Sequence, residues 1–152
     1  MRNGWAAAAI GFVVFSATAA AADDEESVLH CERFADGGLV AEVHSYPAFI
    51  AVDTYIFNDS ETRTFTVTSI HDWPRNAEPS SVSIDVGPGT SIGGTSFFTL
   101  ESYEQCASLA DREERAQTGK PIRLKTFAKV RTSTGEKAKC VARVVCHPPQ
   151  TP

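Results

Sequence analysis

The sequence has no P-loop, no dinucleotide-binding fingerprint and no Gly-x-Ser-x-Gly elbow, so the common signatures of nucleotide and serine-nucleophile enzymes are missing. It has no Cys-x2–4-Cys pair, because Cys140 and Cys146 are separated by five residues, which argues against a structural zinc site. Met1 is the only methionine, too little sulfur for a soft copper site once the cysteines are bridged. No apolar run after the first 22 residues is long enough to span a bilayer, and there is no internal repeat or low-complexity segment. Basic charge is also short, with 14 Lys and Arg against 19 Asp and Glu, a net of −5. A net acidic chain of 152 residues is a poor candidate for nucleic-acid binding.

The N-terminus reads as an export signal. Arg2 precedes an apolar run from Trp5 to Phe15, then small residues to Ala22, then the acidic run Asp23–Glu26. Residues 1–22 are therefore expected to be cleaved, leaving one domain over 23–147 and a disordered tail over 148–152. The mature protein is expected to be secreted or periplasmic, with no membrane span. Cys31, Cys106, Cys140 and Cys146 all lie beyond the signal, and an even count in an oxidising compartment implies two disulfides.

Short β-rich runs fill residues 28–100. Phe49–Phe57 is apolar on both faces at most positions, as expected of a central strand covered on both sides. Asn58–Thr62 is a turn, Thr64, Thr66 and Thr68 alternate with Phe65 and Val67, and Val82–Val86 closes at Gly87-Pro88-Gly89. Gly93-Gly94 marks a bend or bulge. Tyr103–Gln117 changes character to Ala, Glu, Gln and Arg and stops at Gly119 and Pro121, predicting one helix of two to four turns. A hairpin follows, Ile122–Arg131 and Lys137–Cys146 around a turn at 132–136.

This spacing of strands and turns points to an antiparallel β-sandwich with one short helix. The stretches Tyr55–Asn58, Phe65–Ile70 and Ile84–Gly89 resemble secreted immunoglobulin-like domains, which implies an immunoglobulin-like sandwich and carries no functional residue with it. Cys140 and Cys146 share one strand face and cannot bridge each other. A helix starting near the hairpin's turn pairs Cys106 with Cys140 and leaves Cys31 with Cys146.

Charge is split along the chain. Residues 23–104 carry 3 Arg against 15 acids, net −12, and residues 105–152 carry 10 Lys and Arg against 4 acids, net +6. In the hairpin, Arg123, Lys125, Lys129 and Arg131 share a face with Phe127, and Lys137, Lys139 and Arg143 project from the same face of the partner strand. Pairing across the turn sets Arg131 against Lys137, Lys129 against Lys139 and Lys125 against Arg143, an unfavourable arrangement unless something anionic compensates. That anion is either internal (Glu42, Asp53, Asp85 or the acidic N-terminal run) or an external acidic protein, glycan or lipid head group. Of His30, His44, His71 and His147, no two have metal-ligand spacing, so no metal or cofactor is expected. His71-Asp72-Trp73-Pro74 is a candidate recognition loop, with Trp73 either a contact or a plug for one end of the core.

The expectation is a non-enzymatic, exported binding module for a protein or an anionic glycan or envelope component. Its binding residues are Arg123, Lys125, Lys129, Arg131, Lys139 and Arg143, with Trp73 as a second patch. The alternative is a secreted inhibitor of a lysozyme or protease, inserting a loop such as Asp72–Ser80 into a cleft.

Overall fold

The computed structural model describes residues 28–150. The expected export signal, the acidic run Asp23–Glu26 and the last two residues lie outside the described residues. Over the described residues the chain is mainly β, with two sheets, two short helices and two disulfides. In order the elements are β1 (Leu29–Ala35), β2 (Val40–Val43), β3 (Ala48–Asn58), β4 (Phe65–Trp73), β5 (Ser80–Val86), β6 (Ser91–Leu100), α1 (Tyr103–Leu109), α2 (Glu113–Gln117), β7 (Ile122–Thr132) and β8 (Lys137–Cys146). A five-stranded sheet runs β2-β8-β7-β4-β5 and a three-stranded sheet β1-β3-β6. Every pairing is antiparallel except β2 with β8, which is parallel, so the expected all-antiparallel sheet fails at that edge.

Alternation along the strands builds the core. From β7, Ile122, Leu124, Ala128 and Val130 point inward, and from β8, Ala142, Val144 and Cys146. They meet Ile50, Val52 and Ile56 of β3 and Phe98 and Leu100 of β6. β3 is central in its sheet by pairing but covered on one face only: Phe49 is 72% exposed and Tyr55 40%. Among the described residues the expectation of cover on both sides therefore fails, because none of them packs a third layer on the aromatic outer face.

β6 runs unbroken through Gly93 and Gly94 where a bend was expected. Gly93 is required there by close approach: a Cβ at that position would lie 2.4 Å from Cδ1 of Tyr55, its register partner.

The predicted single helix is two. Ser102 caps α1 by accepting from the Gln105 N–H, and Tyr103, Cys106 and Ala107 are buried. The helix then closes with Asp111 at φ 57° and the Arg112 N–H on the Ala107 carbonyl at 2.7 Å. Asp tolerates that left-handed step, and the reversed bond ends the α-helical ladder before α2 starts.

The disulfides join Cys31 to Cys140 and Cys106 to Cys146, so the expected pairing, Cys31 with Cys146 and Cys106 with Cys140, is corrected. The cause is where the helix sits. β6 delivers the chain at Leu100, which packs with Ile122, so α1 begins at the open end of the hairpin rather than at its turn. Cys146 is the register partner of Ile122 and lies beside Cys106. Cys140 stands farther along β8, opposite Ala128, and meets Cys31 of β1. The two cysteines of β8 do share the buried face, as the alternation requires.

Candidate functional site

The interior contains a cation. Arg33 of β1 is buried, with 2% of its surface exposed, in an interior whose apolar residues form two clusters, one around Ile50, Leu100 and Leu124, the other around Leu29, Phe65 and Val67. Its Nε donates to Thr126 Oγ1 at 3.1 Å, one terminal nitrogen to Thr54 Oγ1 at 2.7 Å, and the other to Asp72 Oδ1 at 2.7 Å and the Trp73 carbonyl at 3.3 Å. A buried guanidinium is tolerated only when paired and hydrogen-bonded, and here every nitrogen is engaged. Nothing in the sequence marked this pair. Asp72 faces inward because a β-bulge between Val67 and Ser69 reverses the alternation of β4. Phe65 and Val67 point in, yet beyond the bulge Ile70 and Asp72 point in while His71 and Trp73 point out.

The bulge therefore assembles the opposite face. On the outer side of the five-stranded sheet, His71, Lys129 and Lys139 form one row across β4, β7 and β8. Trp73, Phe127 and Val141 form the next, and Lys125 with Arg143 and Arg123 with Val145 follow. Arg131 stands opposite Lys137 towards the turn, so the like-charged pairs of the expected register all occur. Trp73 stacks on Phe127, ring centroids 5.5 Å apart and 16° from parallel, and His71 meets the same ring edge-on at 5.2 Å. Lys129 Nζ and Lys139 Nζ lie 5.0 and 5.4 Å from the Phe127 centroid, within cation–π range. Trp73 is thus half-buried at the end of β4, stacked on Phe127 beside the cations and also packed against the core cluster that holds Ile50, Leu100 and Leu124.

Of the carboxylates expected to neutralise this face, the acidic run Asp23–Glu26 lies outside the described residues, and none of the other three comes within 4 Å of a ladder cation. Glu42 binds His147 at 2.6 Å, Asp53 accepts from Thr95 at 2.6 Å, and Asp85 accepts from Thr66 at 2.7 Å. Glu136, at the hairpin's own turn, accepts from Thr132 at 2.5 Å, from Thr134, and from Arg63 at 2.8 Å. Those hydroxyl bonds first, then Arg63, hold its carboxyl down at about 2. Among the described residues, Arg123, Lys125, Lys129, Arg131, Lys137, Lys139 and Arg143 have no carboxylate within 4 Å. All are exposed. An open groove of about 610 Å³ runs over this face between Ser69, His71, Pro79, Lys129, Lys137 and Lys139.

A second opening, about 240 Å³, enters between the sheets beside Ile84, Ile92 and Gly93, with Arg33 and Asp72 at its floor. Its polar floor is already satisfied within the fold, so it offers no free charge to a ligand. Among the described residues no helix is long and apolar enough to cross a membrane. No protein-family model matches the chain, and no curated protein matches it in sequence.

Proposed function

We propose that the protein is an exported, non-catalytic binding module that takes an anionic partner, a polyanionic glycan or an acidic protein surface, on the outer face of the five-stranded sheet. One observation carries the reading: a ladder of exposed cations around a Trp73–Phe127 stack, without a carboxylate within 4 Å among the described residues. Like charges aligned across a hairpin cost roughly some tenths of a kcal/mol per pair, a cost that an anion spanning the rows relieves. Aromatic surface at the centre and cations at the rim match the composition of interface hot spots. Two disulfides in a chain of this size favour an oxidising compartment, secreted or periplasmic. The fold reading that accompanies this is immunoglobulin-like: β1-β3-β6 facing β8-β7-β4 follows the A-B-E and G-F-C arrangement of that class.

The test is retention of the folded protein on a polyanion column eluted with rising salt. A chain of net charge −5 should be repelled, so retention would report the patch rather than the whole molecule. A triple variant, Lys125/Lys129/Lys139→Ala, should lose it. Passage of the parent straight through at low ionic strength would sink the reading and turn attention to hydrolase inhibition through the Asp72–Ser80 segment, whose residues 74–79 connect two strands.

A further inference from the structure

Away from the ladder's centre, at the β2 edge of the same sheet, the parallel pairing of β2 with β8 sets Val145 beside Glu42 and Cys146 beside Val43. One step further brings His147 alongside His44. Their rings stack, centroids 4.2 Å apart and 10° from parallel. Glu42 and His44 are two residues apart in an extended segment, so both leave the same face. Glu42 Oε1 lies 2.6 Å from His147 Nε2 and 3.9 Å from His44 Nε2, and the three ligand atoms all fall within 4.8 Å of one another.

We propose that Glu42, His44 and His147 form a binding site for a divalent transition-metal ion, Zn²⁺ or Cu²⁺. Ligands bound at about 2.0–2.1 Å around a tetrahedral ion sit about 3.3 Å apart. The observed 2.6 and 3.9 Å bracket that spacing, and the two stacked rings must also turn out of parallel so that both lone pairs meet the ion, a movement open to Glu42 and His44 on the exposed surface beside the half-buried His147. The donor set selects the ion: two imidazoles and one carboxylate suit borderline divalent metals, and no thiolate or thioether is present to favour Cu(I). Both imidazoles must offer Nε2 lone pairs, with the ring proton on Nδ1. Binding therefore replaces the present Glu42–His147 hydrogen bond, and any proton on Nε2 moves to Nδ1 or to solvent.

The site is held from behind. The His147 N–H donates to the Val43 carbonyl at 2.8 Å, and its carbonyl accepts from the Tyr46 hydroxyl at 2.8 Å. His147 is consequently fixed in line with His44. With three protein ligands on an open face, the remaining coordination positions belong to water or to a further donor.

The experiment is equilibrium dialysis of the untagged, chelator-treated full chain against ZnCl₂ and, separately, CuCl₂. It is joined by NMR of the histidine ring protons during the zinc titration. Saturable uptake of one equivalent of either ion is expected, with the His44 and His147 rings perturbed and those of His30 and His71 unmoved. His44→Ala and Glu42→Gln should each weaken binding about tenfold or more, since losing even an outer-shell partner commonly costs 10–100-fold. Both positions are exposed, so thermal midpoints should stay near the parent's and binding loss will not be mistaken for unfolding. Absence of saturable uptake of both ions would reduce the cluster to a surface ion pair. Uptake that survives the combined His44→Ala/Glu42→Gln variant, or that perturbs His30 or His71 instead, would overturn the site equally.

Discussion

Two sides of one sheet treat positive charge in opposite ways. On the inner side, Arg33 reaches across from β1 and is met by Asp72, Thr54, Thr126 and a backbone carbonyl. On the outer side, Lys125, Lys129, Lys139, Arg143 and their neighbours project into solvent with no carboxylate within 4 Å among the described residues. The interior charge cannot exist without its partners, because the desolvation penalty is several kcal/mol. The exterior charges can, because water screens them. Compensation thus marks structure, and its absence leaves the outer cations available to the anionic partner proposed above.

The largest test of that contrast is to orphan the buried charge. Asp72→Leu alone should destabilise the fold by about 3–5 kcal/mol in urea unfolding. Adding Arg33→Leu should recover part of the loss, since the uncompensated charge then goes too. If the single variant costs less than about 1 kcal/mol, Arg33 is not dependent on Asp72 and the contrast fails.

Removing a disulfide should cost roughly 2–5 kcal/mol. Cys31–Cys140 closes a sequence separation of 109 residues and Cys106–Cys146 one of 40, so the Cys31/Cys140→Ala pair should lose about 1 kcal/mol more than the other. Denaturant midpoints of the two variants, compared at equal m-value, check the order.

Glu136 supplies an intermediate case, a carboxylate at the end of the ladder yet committed to Thr132, Thr134 and Arg63. Its folded pKa, about 2, is below the ordinary 4.5. Its contribution to stability is therefore complete above about pH 4.5 and is lost as pH falls towards 2. Partly exposed, it should contribute less than about 1 kcal/mol, and Glu136→Gln should flatten the stability profile in that window only. Urea unfolding from pH 6 down to 2 reads the difference.

The smallest effect belongs to the ladder itself. Lys129→Ala with Lys139→Ala removes a like-charged pair and should leave stability unchanged or raise it by about a few tenths of a kcal/mol. A loss above about 1 kcal/mol would mean that these cations do hold the fold together, against the contrast drawn here.

Some of this was legible in the chain. The cationic face was, because Arg123, Lys125, Lys129 and Arg131 recur at the strand period and the turn at 132–136 set the register of the hairpin. The Trp73–Phe127 stack was not. Counting by twos from Phe65 puts Trp73 inside, and only the bulge after Val67 turns it out while turning Asp72 in. One inserted residue carries no signal strong enough to be read locally, yet it exchanges the two faces of half a strand. The single helix was misread for a related reason: Asp111 ends α1 through its backbone angle, whereas Gly119 and Pro121 were the visible stop.

By itself, the sequence determined the β character, the hairpin and its basic face, the presence of two bridges, and the inward aim of Cys140 and Cys146. All of these follow from alternation and turn chemistry, which act over a few residues. The tertiary structure decided which cysteines meet, that Arg33 finds Asp72, and that His44 and Glu42 lie against His147 more than a hundred positions away. Side-chain period states which face of a strand a residue occupies. It does not state which strand lies next to it; that depends on how whole sheets pack, and on β2 joining β8 in parallel.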